Sequence, residues 1–105
     1  MKISVIVPSY NTPREYMEVL YQSLLDQTFD GEYEVIIVDD CSTVKNYDMV
    51  TDPRFRIVYN EKNSGPAFSR NHGAKEAAGE VLFFTDSDCE VGKDTLKHIA
   101  ALEKL

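Results

Sequence analysis

Asp86-Ser87-Asp88 follows, after Thr85, on the apolar run Val81-Leu82-Phe83-Phe84. Two carboxylates one residue apart, leaving the end of a strand, can share a divalent cation directly or through water, and Mg2+ and Mn2+ favour such oxygen ligands. The same tripeptide also suits an Asp-rich turn that stops a strand at the surface. Like charges crowded on a sheet rim, however, carry a repulsion that calls for a reason. Asp39-Asp40 forms a second acid pair, at the end of Glu34-Val35-Ile36-Ile37-Val38. Carboxylates there can accept hydrogen bonds from a nucleobase N–H or from ribose hydroxyls, or they simply end the strand in a turn. Tyr10, within Pro8-Ser9-Tyr10-Asn11, offers a ring that can stack on a base or anchor its loop. Arg70 lies early in a helix opened by Gly65-Pro66, where it can meet a phosphate, a rim carboxylate or an ordinary surface partner.

Other chemistries lack their residues. No Gly-rich phosphate loop and no Ser–His–Asp arrangement is present. His72 and His98 fall on different predicted helices without metal-ligand spacing to a cysteine. Cys41 and Cys89 make no disulfide framework, and neither reads as a nucleophile.

The elements that must position these residues alternate along the chain. Ile3-Ser4-Val5-Ile6-Val7 reads as a buried strand stopped by Pro8. Thr12 as N-cap and Pro13 in the first turn then open a helix to about Gln27, with Met17, Val19, Leu20 and Leu24 on its apolar stripe. Residues 34–38 form the second strand. A polar, weakly helical stretch is expected over 43–51. Phe55-Arg56-Ile57-Val58-Tyr59 alternates and reads as a third strand nearer an edge. Asn63-Ser64-Gly65-Pro66 turns into a helix that carries Phe68, Ala74, Ala77 and Ala78 and stops at Gly79. Residues 81–84 are the fourth strand. A final helix runs from near Lys93 to Leu105, with Leu96, Ile99, Ala100 and Leu102 on its apolar side. Strand–helix alternation with near-continuous apolar strands predicts an α/β fold: a Rossmann-like open, mainly parallel sheet with flanking helices. Both acid pairs then fall past the carboxyl ends of parallel strands, the rim where such sheets bind ligands.

The 105 residues carry a net charge of −7 and are 43% hydrophobic, enough for one domain with a core. Residues 1–52 hold ten acidic against three basic side chains, whereas the remainder is balanced. An acidic chain without a basic stripe excludes nucleic acid as partner, and makes a phosphate ligand depend on an accompanying cation. No apolar run reaches membrane-spanning length and the first lacks a signal peptide's basic lead-in, so a cytoplasmic location is expected.

Five pieces then fall in one order: Ser4-Val5-Ile6-Val7-Pro8-Ser9-Tyr10-Asn11; Gln22-Ser23-Leu24-Leu25-Asp26-Gln27-Thr28; Glu34-Val35-Ile36-Ile37-Val38-Asp39-Asp40-Cys41-Ser42; Asn63-Ser64-Gly65-Pro66-Ala67 with Arg70-Asn71 and Gly73; and Thr85-Asp86-Ser87-Asp88. Together, across the whole chain, they resemble family 2 glycosyltransferases. The resemblance implies a GT-A fold that binds a nucleotide-diphosphate sugar, with UDP the usual nucleotide, together with Mg2+ or Mn2+. It implies hexosyl transfer, mostly with inversion, in the making of cell-wall or other polysaccharides. The acceptor can be a saccharide, a lipid-linked molecule or a protein. By the same resemblance Pro8 is a nucleotide-binding residue, Tyr10 lies by the base, Asp40 contacts the base N–H with Asp39 beside it, and Arg70 approaches the nucleotide. Asp86 sits near ribose or metal, and Asp88 is the metal ligand bridged to the diphosphate. Cys41 departs from the small or polar residue usual at its position.

Family members continue well beyond the Asp-x-Asp motif, and no residue in 1–105 fits the base that an inverting reaction needs. The expectation is therefore that 1–105 is the nucleotide-diphospho-sugar-binding part of such a domain, truncated after the motif, inactive alone and peripheral to the membrane at full length. Three other readings share parts of this pattern. A haloacid-dehalogenase-like phosphatase would carry Thr or Val where Glu90 stands. A phospho-acceptor receiver domain would have its acid pair after the first strand, where Pro8-Ser9-Tyr10 stands. A non-catalytic nucleotide- or protein-binding domain would keep the fold alone.

Overall fold

Four parallel strands and three helices organise residues 2–102, the residues described in this computed structural model. In chain order they are β1 (Ile3–Ser9), α1 (Arg14–Leu25), β2 (Tyr33–Asp39), β3 (Phe55–Tyr59), α2 (Pro66–Glu76), β4 (Val81–Phe84) and α3 (Thr95–Leu102). The expected end of the last helix at Leu105 lies outside the described residues. Across the sheet the order is β3-β2-β1-β4, with every pair parallel. Ile3 pairs with both Tyr33 and Val81, and Val35 pairs with Phe55. The alternating strand β3 lies on an edge, as its pattern predicts, while the continuous apolar runs of β1 and β2 are central and buried on both faces.

Side chains alternate across the sheet, so each strand feeds two cores. Ile3, Val5, Val7, Val35 and Ile37 meet Met17, Leu20 and Leu24 of α1 and Leu96 of α3. Ile6, Ile36 and Val38 form the other face together with Val58 and Ala77. Val19 does not join the α1 stripe; it is 46% exposed, because two residues beyond Met17 is about 200° round a helix of 3.6 residues per turn.

The second core explains how α2 packs. Its buried residues are Ser69 and Gly73, not the larger apolar ones, and Phe68 points out at 52% exposure. The inner face is made of small residues one turn apart so that the helix can lie close on β1 and β2. A Cβ on Gly73 would run into Ile6 Cγ2 and stand 3.0 Å from Val38 Cγ2.

The weakly helical stretch expected over 43–51 is a loop instead. It is tied to the β1–α1 connection: Asn11 Oδ1 accepts from Thr43 N at 2.8 Å and Val44 N at 3.1 Å, and the Asn46 side chain donates through Nδ2 to the Thr12 carbonyl. These bonds hold the stretch against the β1–α1 connection, and its own backbone closes a short turn, Val50 N donating to Tyr47 O at 2.9 Å, in place of a helix. Thr12 is likewise not a cap. The position before α1 is Pro13, no side chain caps this helix, and α1 ends at Leu25, two residues before the expected Gln27. Gln27 serves α3 instead, its Oε1 accepting from Leu96 N at 3.0 Å and its Nε2 donating to Gly92 O at 2.8 Å.

Gly73→Ala tests the close approach of α2. Overpacking costs about 1–3 kcal/mol against about 1 kcal/mol of helix propensity gained, and because Ile6 and Val38 are fully buried the expected net loss is about 1–2 kcal/mol. Urea unfolding should show it as a lower midpoint, with exposed Lys75→Ala as a control that stays within about 0.5 kcal/mol of wild type. An unchanged midpoint in Gly73→Ala would mean that α2 has room to spare.

Candidate functional site

The carboxyl ends of β1, β2 and β4 and the start of α2 surround a cleft of about 580 Å³. Pro8, Tyr10, Asp40, Asp86 and Asp88 all line it, as do Thr12, Ser87 and Gly65. Five of the seven residues singled out from the sequence therefore converge. Tyr10 stands at the rim, 55% exposed, with its ring open to a ligand. Arg70 and Asp39 do not line the cleft. Arg70 follows Ser69 on α2 and so turns about 100° away from the face that packs on the sheet. Asp39 is fully buried beneath the rim.

Adjacent residues on a strand point to opposite sides, and the two acids of β2's end divide accordingly. Asp39 Oδ2 accepts from Ser42 N at 3.0 Å, and its Oδ1 accepts from the Tyr47 hydroxyl. Asp40 turns toward α2. Its Oδ1 accepts from Asn60 Nδ2 at 2.9 Å and Ser64 N at 2.7 Å, and its Oδ2 accepts from Gly65 N at 2.9 Å. The carboxylate thus occupies the amino-terminal end of α2, where the helix dipole favours negative charge. Burial works to raise its pKa, but the hydrogen bonds from Asn60, Ser64 and Gly65 outweigh this and hold the carboxyl below its ordinary range. A carboxylate offers about four lone-pair positions, so Asp40 keeps about one for a ligand's donor.

Asn60, just past β3, was not visible from sequence as a site residue. Its amide donates to Asp40 and to Ser69 Oγ, which leaves its Oδ1 to accept from His72 Nδ1 at 2.7 Å. His72 thereby has a structural task, while His98 is exposed. Cys41 is also structural, its thiol directed at Asn60 O.

The Asp-x-Asp loop is held from two sides. Thr12 Oγ1 bonds Ser87 Oγ at 2.7 Å, and Ser9 Oγ bonds Thr12 Oγ1 at 2.8 Å. Beyond the motif, Val91 N donates to Ser23 Oγ at 3.0 Å. Ser9, Thr12, Tyr47 and Ser87 were missed by sequence reading, since hydroxyl residues in three separate stretches of chain carry no signal that they will meet. Asp86 and Asp88 are exposed, and among the described residues neither forms an ion pair with Lys or Arg. Their carboxylate oxygens and the Cys89 sulfur lie within 4.8 Å of one another. Two hard oxygen donors without a protein counter-charge fit Mg2+ or Mn2+.

Comparison with known proteins agrees with this arrangement. A family model described as glycosyl transferase family 2 matches residues 4–103. The poly(ribitol-phosphate) beta-N-acetylglucosaminyltransferase TarS of Staphylococcus aureus is 44% identical over 107 residues, covering 96% of this chain and 18% of TarS. A crystal structure of S. aureus TarS 1-349 in complex with UDP-GlcNAc superposes with a TM-score of 0.89 at 42% identity, covering 99% of this chain and 31% of the other. The mannosyltransferase PcManGT of Pyrobaculum calidifontis, in complex with GDP-Man and Mn2+, gives a TM-score of 0.79 at 29% identity over 90% of this chain and 30% of its own. The chain thus spans less than a third of the length of these proteins.

Asp40→Asn places an amide N–H2 against donors and should cost about 1–3 kcal/mol at neutral pH. The folded carboxyl has a lowered pKa, so its contribution is complete above the unfolded value near 4 and is lost as pH falls through the folded value. The stability gap between wild type and Asp40→Asn should therefore narrow below about pH 4. Urea titrations across that range check it; a gap that stays constant on acidification contradicts the role given to Asp40.

Proposed function

The chain belongs to glycosyl transferase family 2, and on that premise we propose that residues 1–105 form the donor-binding part of an enzyme that moves a hexose from a nucleotide-diphosphate sugar to an acceptor. The observation that carries this reading is the convergence of Tyr10, Asp40, Asp86 and Asp88 on one cleft at the carboxyl ends of parallel strands. UDP is the proposed nucleotide, supported by the UDP-GlcNAc complex of TarS. A cell-wall polymer is the proposed acceptor class, in keeping with the poly(ribitol-phosphate) in that relative's name.

Each residue has a physical task in this reading. Tyr10 stacks on the base against the wall that Pro8 forms. Asp40 offers its remaining lone pair to the base N–H while its other bonds keep the carboxylate from rotating. Asp88 would hold Mg2+ or Mn2+ on the diphosphate side, with Asp86 near ribose or the metal. When bound, the cation offsets repulsion between the acid rim and the diphosphate and stabilises charge on the departing nucleotide. Arg70, on the outward side of α2, receives no direct contact. Inversion at the sugar is part of the proposal, and none of these residues is assigned as the base that deprotonates the acceptor. A cytoplasmic site is proposed as well; among the described residues no helix is long and apolar enough to cross a membrane.

Calorimetric titration of UDP in the presence and absence of Mn2+ tests the reading. Wild type should bind UDP only with the metal, and Asp88→Ala should lose that binding. Tyr10→Ala should weaken it by about 1–3 kcal/mol, the usual worth of one stacked base, while Tyr10→Phe keeps it. Metal-independent binding, or none by wild type, would remove the proposed donor site.

A further inference from the structure

Asp39 does not reach the cleft, yet a continuous line of hydrogen bonds leads from it to the middle of the Asp-x-Asp motif. Tyr47 Oη bonds Asp39 Oδ1 and, at 2.9 Å, Ser9 Oγ; Ser9 bonds Thr12 at 2.8 Å; Thr12 bonds Ser87 at 2.7 Å. The direction of this line follows from counting hydrogens. A carboxylate only accepts, and each hydroxyl has one hydrogen to give. Tyr47 must therefore spend its hydrogen on Asp39 and accept from Ser9. Ser9, having donated to Tyr47, must accept from Thr12, and Thr12 must accept from Ser87. Burial and the Asp39 bond both push the Tyr47 hydroxyl's pKa up, so its hydrogen stays in place. Ser9, Thr12 and Asp39 are buried, and at such positions water cannot substitute for a lost partner at no cost.

We propose that this relay makes Asp39 and Tyr47 positioning residues for the cation site, because it holds Ser87 as a donor pointing inward and so keeps Asp86 and Asp88 on the cleft side of their loop. The inference rests on the reading of Asp86 and Asp88 as cation ligands. Those two side chains are exposed and form no ion pair among the described residues that would hold them. On their own, two adjacent carboxylates would drift apart. The relay sets the backbone between them from beneath, in the way that partners behind a metal ligand set its orientation. It also accounts for a fully buried acid in an already acidic half of the chain: Asp39 is the terminal acceptor that gives all four hydroxyls one direction.

The test uses Mn2+ binding in the presence of UDP, followed by the loss of the free-ion electron paramagnetic resonance signal. Tyr47 lies outside the cleft, so Tyr47→Phe removes a relay hydroxyl without touching a ligand. It should weaken Mn2+ binding by about tenfold or more, the usual loss when a metal ligand's support is removed. Ser87→Ala should give a similar loss, and adding Tyr47→Phe to it should cost nothing further, since the line is already broken. If Tyr47→Phe does not fold, as judged by circular dichroism, Thr12→Val takes its place. That variant keeps the shape and lacks the hydroxyl, and Thr12→Ser should restore binding. Wild-type Mn2+ affinity in the folded variants, or additive losses in the double variant, overturns the relay while leaving the donor site standing. A wild-type chain that binds no Mn2+ with UDP overturns the donor-site reading, and the relay with it.

Discussion

Two neighbouring carboxylates, Asp39 and Asp40, are buried where β2 ends, and neither has a basic partner among the described ion pairs. A buried acid without a counter-ion persists only when hydrogen-bond donors surround it. That constraint organises the rim. Asp39 recruits the loop after β2 through Ser42 and Tyr47. Asp40 recruits the end of β3 through Asn60 and the start of α2 through Ser64 and Gly65. No buried side-chain nitrogen or oxygen among the described residues is left without a partner. The loops that wall the cleft are thus the loops that solvate these two acids.

The close fit of α2 follows from the same demand. For Ser64 and Gly65 to reach Asp40, the helix they open must lie close to β2, and only small residues at Ser69 and Gly73 permit that distance. Gly65 also takes a positive φ of 89°, a region that side chains disfavour, which turns its N–H toward the carboxylate. Packing, backbone geometry and electrostatics agree at this one corner of the molecule. On the opposite side of the cleft, α1 reaches past its own end through Ser23 and Gln27 to hold the segment between the Asp-x-Asp motif and α3. The two acids of that motif remain exposed between these anchors.

Much of the architecture was legible in the residues. Continuous β-branched runs in β1 and β2 imply strands buried on both faces, the alternation in β3 implies an edge, and Pro66 and Gly65 mark the start of α2; all are found. The departures share a cause. Residues 43–51 have weak helical character, but the Asn11 side chain and the Thr12 carbonyl bind them as a loop. Thr12 has the character of a helix cap, yet its hydroxyl is drawn to Ser9 and Ser87. Phe68 has the character of a core residue, but the core admits only a small side chain on that helix face. In each case a partner distant in sequence outcompeted a local preference.

What the sequence determined by itself is the order of strands and helices, the parallel sheet and the acids at its rim, because periodicity and strand-end position are local properties of a chain. It did not separate Asp39 from Asp40, or Arg70 from Ser69, because adjacent residues differ only in which way they point. The tertiary structure decided that Asp40 faces the cleft and Asp39 the interior, and that Arg70 turns outward. It also decided that Ser9, Thr12, Tyr47 and Ser87 join in one line. Those four residues lie in three separate stretches of the chain, and hydrogen bonds of under 3 Å between them require the sheet to bring the stretches together first.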